Sequence, residues 1–187
     1  MALTLANQLT LIRLALVPAL VILVLYGRMG WALAAFVTAG ITDGLDGLIA
    51  RWTNKRTALG AFLDPMADKL LLVSAFVVLS LPGIGLVNRI PVWLTVLVIS
   101  RDVAIVATVA IVSLTLGPRT FPPSIWGKTA TALYIVTVTL VLLFNVLQRA
   151  SLLVDAAVWV SLAITLVSGF HYVVHVRRTL NEPPASP

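Results

Sequence analysis

The sequence predicts an all-α integral membrane protein with six transmembrane helices, and three observations support this fold class. The chain of 187 residues is 60% hydrophobic and only 11% charged, whereas a typical soluble domain is about 25% charged. Its mean hydropathy is +1.05. It also contains six apolar stretches, each close to the roughly 20 residues that a helix needs to cross the hydrocarbon core of a bilayer.

The first three predicted spans are separated by residues that favour turns. Span one covers roughly residues 11–27, and the turn that follows it ends at Gly30. Span two covers roughly 31–50 and is followed by a polar segment that begins at Asn54. Span three covers roughly 61–81 and stops at the Pro82-Gly83 pair. The breaks therefore predict short connections between neighbouring helices.

The last three predicted spans are bounded in the same way. Span four covers roughly residues 91–116 and stops at Gly117-Pro118, because proline cannot continue the hydrogen-bond pattern of a helix. Span five covers roughly 124–147, and the polar residues that follow separate it from span six, roughly 152–175. We expect one six-helix transmembrane domain, residues 1–180, and a disordered proline-rich tail, residues 181–187.

Charge and cysteine content narrow the expected location and chemistry. Most lysines and arginines fall on the side of the two termini, which by the positive-inside rule is the cytoplasm. The net charge of +6 is therefore interpreted as basic loops that face an anionic lipid leaflet, and no nucleic-acid partner is expected. The chain has no cysteine, which excludes disulfides, thiolate metal sites and a cysteine nucleophile. We expect a multi-pass protein of a bacterial inner membrane.

Four of the seven acidic residues lie close together, and their spacing places them on two helix faces. Asp43 and Asp46 lie at the end of span two, and Asp64 and Asp68 lie at the start of span three. Residues three or four apart share one face of a helix. Because a short cytoplasmic turn joins the two spans, the acidic faces are expected to meet just inside the membrane.

Four facing carboxylates repel each other and need a positive charge among them. Arg51 and Lys69 are too few and badly placed to neutralise all four. Carboxylate oxygens suit hard divalent cations such as Mg²⁺ or Mn²⁺. Two such cations would clamp a diphosphate and stabilise displacement at phosphorus. A single intramembrane acid is often the structural partner of a basic residue, but four on facing helices favour a functional site.

The spacing of these aspartates resembles the signature of a known family. Residues 43–68 read D-G-x-D-G-x-x-A-R, then eight residues, then G-x-x-x-D-x-x-x-D. This pattern is similar to the signature of the CDP-alcohol phosphatidyltransferase family. The resemblance implies a six-helix membrane fold of that family, which forms homodimers, with a polar cavity that opens to the cytoplasm.

The resemblance also implies roles for individual residues. Asp43, Asp46, Asp64 and Asp68 would bind two divalent cations, Mg²⁺ or Mn²⁺. Asp68 would also deprotonate an acceptor alcohol, which attacks the β-phosphorus of CDP-diacylglycerol and expels CMP. A further set would hold the CDP-lipid: Asn7, Thr10, Gly47, Ala50, Arg51, Thr57 and Gly60.

The acceptor alcohol stays open at this stage. The segments LDPMADKLL and SGFHYVVHVRR are similar to enzymes of the family that make anionic glycerophospholipids, whose acceptor is glycerol 3-phosphate or phosphatidylglycerol. The pair Arg101-Asp102 looks more like the cardiolipin synthases, which use phosphatidylglycerol. The segment Gly127-Lys128-Thr129 lacks one lysine of the Gly-Lys-x-Lys-Thr pattern that is usual in the enzymes that use glycerol 3-phosphate. Another polar alcohol, such as inositol phosphate, is an alternative.

Three basic residues are candidates for binding the acceptor: Arg101, Arg119 and Lys128. Adjacent helical residues point about 100° apart, so Arg101 is not expected to pair simply with Asp102. Arg101 could instead bond to a polar group on a neighbouring helix, and Lys128 and Arg119 could contact lipid headgroups. Two other classes of protein are considered, a cation-coupled transporter and a membrane scaffold. The clustering of the acids at one membrane face and the absence of internal repeats argue against the transporter, and a scaffold would not need four facing carboxylates.

Overall fold

A computed structural model describes residues 5–53, 58–116 and 124–181, and the side chains within 8–43, 66–112, 114, 124–174 and 176. These residues form six α-helices, and no strand occurs among them. The helices are α1 Leu5–Leu25, α2 Met29–Thr53, α3 Ala58–Ser80, α4 Val92–Leu116, α5 Ile125–Val146 and α6 Leu152–Asn181. The predicted all-α class is confirmed.

Four of the helices are long and apolar enough to cross a membrane within the part of the chain that was searched. They are α1, α4, α5 and α6, with apolar segments Gln8–Leu25, Val92–Val112, Ile125–Val146 and Leu152–Val174. The protein therefore has the helices of a membrane protein. Six membrane crossings stay a prediction, because the charged ends of α2 and α3 contain residues whose side chains lie outside the description.

The turn after α1 depends on a glycine. Gly27 has φ +69°, a conformation that costs glycine little because it has no Cβ. In this turn the Gly27 amide donates to Val24 O at 3.0 Å and the Arg28 amide donates to Leu23 O at 2.8 Å. These bonds satisfy carbonyls at the end of α1. The chain reverses here, and α2 packs back against α1.

The core joins α5 to the N-terminal helices. α1 packs against α2 and α3, α5 packs against α2 and α6, and α4 contacts α3 and α6. At the centre, the rings of Phe76 and Tyr134 lie edge to face, with centroids 5.5 Å apart. Such aromatic pairs add to the stabilisation that burial provides.

Hydroxyl groups connect α5 to α6 within this core. Tyr134 Oη lies 2.6 Å from Thr165 Oγ1, and Thr137 Oγ1 lies 2.8 Å from Ser161 Oγ. All four side chains are buried. Helices in lipid have little hydrophobic drive to associate, so hydrogen bonds of this kind help to hold them together.

Two buried asparagines connect the loop between α3 and α4 to the end of α5. Asn145, near the end of α5, accepts from the Asn88 amide at 3.1 Å and donates to Asn88 O at 2.8 Å. The Asn88 side chain in turn donates to Arg149 O at 2.8 Å. The loop between α3 and α4 is thereby attached to the turn between α5 and α6.

Replacing Asn145 should destabilise the protein. Asn145→Leu leaves the Asn88 amide and carbonyl without this partner in a buried site, and each such group costs about 1–3 kcal/mol. We expect the apparent melting temperature in detergent to fall by about 5 °C or more, from the usual ratio of about 2–4 °C per kcal/mol for a chain of this size.

The matched control for this prediction is Thr108→Val. The Thr108 hydroxyl donates only to Ala104 O, one turn earlier in its own helix, so its loss should shift the melting temperature by less than about 2 °C. Equal melting temperatures for wild type and Asn145→Leu would contradict the proposed fastening role.

Candidate active site

A cavity of about 400 Å³ lies among α2, α3, α4 and α5. Most of its wall is apolar, with Phe36, Phe76 and Val98 among the lining residues. The charged side chains of its lining come from three helices, and they are Asp43, Asp68, Lys69 and Asp102. The cavity therefore combines an apolar wall with acidic groups from three consecutive helices.

Arg13 joins the two described aspartates of the predicted metal set. Arg13 Nη1 lies 2.7 Å from Asp68 Oδ1, and Arg13 Nη2 lies 3.4 Å from Asp43 Oδ1. The Arg13 side chain is only 1% exposed, whereas those of Asp43 and Asp68 are 52% and 40% exposed. One buried guanidinium from α1 thus bridges carboxylates from α2 and α3 that remain accessible to a ligand.

Arg13 is a cation beside the aspartates that was not predicted from the sequence, where Arg51 and Lys69 are the basic residues close to them along the chain. Arg13 comes instead from α1, where it is the single charged residue of the apolar segment Gln8–Leu25. A charge inside such a segment is costly and usually has a partner. A single charge inside an apolar span could therefore have pointed to Arg13 as a partner of the aspartates.

The structure describes the other predicted site residues to different extents. Thr10 is buried, 1% exposed, one turn before Arg13 on α1. Several others lie within helices but outside the described side chains, and they are Asn7, Asp46, Gly47, Ala50, Arg51, Gly60 and Asp64. Thr57 and Arg119 lie outside the described residues. The roles of all these residues stay predictions.

Helix register relates the remaining aspartates to the described pair. Asp46 lies three residues after Asp43 on α2, and Asp64 lies four residues before Asp68 on α3. Each pair therefore shares a helix face. Among the side chains that are described, no three acidic, histidine or cysteine residues converge. Of the four aspartates in the predicted metal set, the structure describes the side chains of Asp43 and Asp68.

A second ion-pair network continues from Asp68 along the cavity. Asp102 Oδ1 lies 2.7 Å from Arg101 Nη1, and Asp102 Oδ2 lies 3.5 Å from Lys69 Nζ. Arg101 Nη2 also donates to Ser168 Oγ on α6. The expectation that Arg101 and Asp102 do not pair was therefore wrong. The long arginine side chain reaches around the helix, so the 100° between adjacent positions does not keep the charged groups apart.

The start of α5 closes around Arg101. Ser124 caps this helix by accepting from the Gly127 amide at 3.0 Å. A Cβ on Gly127 would lie 3.5 Å from Arg101 Nη2, so the guanidinium packs directly against this turn. Lys128 is exposed in the same turn. Arg101 does bond to a polar group on a neighbouring helix, Ser168, and acceptor binding by Arg101 and Lys128 stays a prediction.

The arrangement has defined chemical capabilities. Asp43 and Asp68 present carboxylate oxygens, the ligand type that hard divalent cations prefer. A half-exposed carboxylate such as Asp68 can also accept a proton from a bound alcohol. The apolar wall next to these groups can accommodate a lipid chain. The geometry is suited to chemistry on a polar group that is attached to a lipid.

Comparison with known proteins identifies one family. Residues 3–167 match the family model for CDP-alcohol phosphatidyltransferase. The chain is 35% identical to a probable phosphatidylglycerophosphate synthase of Mycobacterium tuberculosis, over 94% of this chain and 83% of that protein. It is 33% identical to the CDP-diacylglycerol--glycerol-3-phosphate 3-phosphatidyltransferase of Bacillus subtilis, over 90% and 92%. It is 45% identical to the human cardiolipin synthase (CMP-forming), over 57% and 34%.

Removing the guanidinium of Arg13 should loosen the contact between α1, α2 and α3. Arg13→Leu leaves Asp43 and Asp68 facing each other without their shared cation. Loss of a buried charge partner costs about 3–5 kcal/mol, and the half-exposed carboxylates recover part of this through water. We expect a cost of about 1–3 kcal/mol, seen as a melting temperature about 3–10 °C lower in detergent.

Two comparisons make this prediction specific. Arg89→Leu, which removes an exposed arginine from the α3–α4 loop, should change the melting temperature by less than about 2 °C. A double-mutant cycle of Arg13→Leu with Asp68→Asn should give a coupling energy above about 0.5 kcal/mol. Additive effects in that cycle would contradict the ion pair.

Proposed function

Because the chain belongs to the CDP-alcohol phosphatidyltransferase family, we propose that it transfers a phosphatidyl group from CDP-diacylglycerol to a glycerol-type alcohol and releases CMP. The relatives named as phosphatidylglycerophosphate synthase, glycerol-3-phosphate phosphatidyltransferase and cardiolipin synthase support this type of acceptor. The observation that carries the proposal is the convergence of Asp43 and Asp68 on Arg13 beside an apolar cavity.

Asp68 acts as the general base. An alcohol is a poor nucleophile, and a positioned carboxylate that takes its proton accelerates attack by about 10²–10⁴-fold. The acceptor oxygen forms a bond to the β-phosphorus, the bond from that phosphorus to the CMP oxygen breaks, and the alcohol proton passes to Asp68. Arg13 holds this carboxylate in place from the buried side, at 2.7 Å.

The four aspartates are proposed to hold two divalent cations, Mg²⁺ or Mn²⁺. Asp43 and Asp68 fit this role, since their oxygens are accessible and approach the same guanidinium from two helices. Asp46 and Asp64 follow by helix register. When bound, the cations would neutralise the diphosphate and stabilise charge on the departing CMP.

The remaining proposed contacts hold the donor and place it in the membrane. Asn7, Thr10, Gly47, Ala50, Arg51, Thr57 and Gly60 form the proposed CDP-lipid set. Four apolar helices support insertion in a bilayer, and we propose that α2 and α3 cross it as well, with the aspartates at the cytoplasmic face of a bacterial inner membrane. A homodimer is proposed from the family resemblance.

Asp68→Asn should separate catalysis from binding. We expect CMP release from CDP-diacylglycerol to fall at least 100-fold, while CDP with Mn²⁺ still raises the melting temperature. CMP release is followed by chromatography, with glycerol 3-phosphate or phosphatidylglycerol as acceptor. Asp155→Asn is the control because Asp155 lies in the first turn of α6, away from the cavity, and its rate should stay within about twofold. A wild-type rate for Asp68→Asn would refute Asp68 as the base.

Metal dependence is tested separately. Removal of divalent cations with EDTA should abolish CMP release, and Mg²⁺ or Mn²⁺ should restore it, because carboxylates alone repel the diphosphate. Asp64→Asn should also remove the rise in melting temperature that CDP and Mn²⁺ produce together. Full turnover in EDTA would contradict the proposed cation site.

A further inference from the structure

The cavity beside the aspartates is charged at one end and largely apolar along the rest of its length. Asp43 and Asp68 lie at the charged end. The lining continues seven residues back along α2 from Asp43 to Phe36, and eight residues along α3 from Asp68 to Phe76. At 1.5 Å per helical residue, the cavity extends about 10–12 Å into the bundle. This depth approaches half of the roughly 30 Å hydrocarbon core of a bilayer.

The apolar lining is buried on one side of the cavity and exposed on the other. Phe76 on α3 and Val98 on α4 belong to the buried side. The large apolar residues of the lining that are exposed are Val37 and Ile41 on α2 and Ile135 on α5. The cavity therefore has an opening that α2 and α5 border. Because α5 is one of the helices that can cross a membrane, this opening faces lipid.

Gly40 lies in this opening and has no side chain to narrow it. It is exposed and lines the cavity between Val37 and Asp43, and these three residues share a face of α2 because they are three apart. A Cβ on Gly40 would meet no described atom within 4 Å beyond its chain neighbours and the backbone of its own helix. The space beside Gly40 can therefore admit a chain of methylene groups, and a larger side chain at this position would occupy that space.

We propose that one acyl chain of CDP-diacylglycerol passes through the opening between α2 and α5 into the cavity, and that Gly40 keeps this passage wide enough. This inference rests on the proposed function, because it assigns a place to the lipid part of the proposed donor. The chains of that donor begin next to its diphosphate, which the proposed function places at Asp43 and Asp68. Directly below this position lies the apolar lining.

The packing of the lining favours such an occupant. An apolar space that stays empty forfeits contacts between its lining and a neighbour, and a hydrocarbon chain restores them. A cavity of about 400 Å³ lies within the range of ligand pockets, about 300–1,000 Å³. The donor is needed with either acceptor, so its chain is the occupant that the site requires in every turnover.

The test compares a ligand that carries acyl chains with one that does not. Purified protein in detergent receives Mg²⁺ and either CDP or CDP-dioleoylglycerol, and the melting temperature during each titration gives Kd. In Gly40→Leu, the added side chain meets the acyl chain in the passage. We expect Kd for CDP-dioleoylglycerol to rise by about tenfold or more, as for other overpacked apolar sites. Kd for CDP should stay within about twofold of wild type.

Two further variants make the result specific. Gly30→Leu is the matched control, because Gly30 is an exposed glycine of the same helix that lies outside the cavity lining, and a Cβ there also meets no described atom within 4 Å. It should leave both Kd values within about twofold of wild type. Val37→Phe narrows the same opening one turn before Gly40 and should weaken binding of CDP-dioleoylglycerol alone. It keeps the test valid where Gly40→Leu folds poorly.

The outcomes separate the inference from the proposed function. Selective loss of CDP-dioleoylglycerol binding in Gly40→Leu and Val37→Phe supports the passage. An unchanged Kd for this lipid in both variants overturns it, and so does equal weakening of CDP. Weaker binding of phosphatidylglycerol alone, or loss of a dimer in light scattering with donor binding intact, would assign the opening to another occupant and also overturn it. Failure of both CDP and CDP-dioleoylglycerol to stabilise the wild type overturns the proposed function itself.

Discussion

The ion pairing of the buried Arg13 guanidinium with Asp43 and Asp68 is the constraint on which the N-terminal half of the structure depends. A guanidinium that is 1% exposed within an apolar helix is tolerated only where anionic groups surround it. Those groups come from α2 and α3, so α1 must pack against both helices. The same contacts fix the positions of the two carboxylates that the proposed chemistry uses. Stability and site geometry therefore share one set of atoms.

The rest of the molecule is held by neutral polar contacts. Tyr134 with Thr165 and Thr137 with Ser161 join α5 to α6, and Asn88 with Asn145 joins the loops at the far end. The charged pairs lie beside the cavity, where Tyr134 also lines the wall, and the other neutral hydrogen bonds lie among buried residues. A buried polar group costs less when it is uncharged and paired.

The relatives alone leave the acceptor undecided. A probable phosphatidylglycerophosphate synthase and a glycerol-3-phosphate 3-phosphatidyltransferase align over most of the chain, and so does one cardiolipin synthase, while the human cardiolipin synthase has the higher identity over a shorter segment. Both acceptors present a glycerol hydroxyl to the reaction, and they differ in the phosphate beyond it, which is a monoester in glycerol 3-phosphate and a lipid-linked diester in phosphatidylglycerol.

Composition and periodicity by themselves determined the all-α class, the order of the six helices and the clustering of the aspartates, because these depend on local spacing along the chain. Span five, for example, was expected at 124–147 and α5 is Ile125–Val146. The partners of charged side chains were decided only by the tertiary structure. Arg13 lies far from Asp68 in sequence, and Arg101 reaches Asp102 against the expectation from helix geometry. Helical periodicity gives the direction of a Cα–Cβ bond, whereas an ion pair depends on which helices adjoin and how far a long side chain extends.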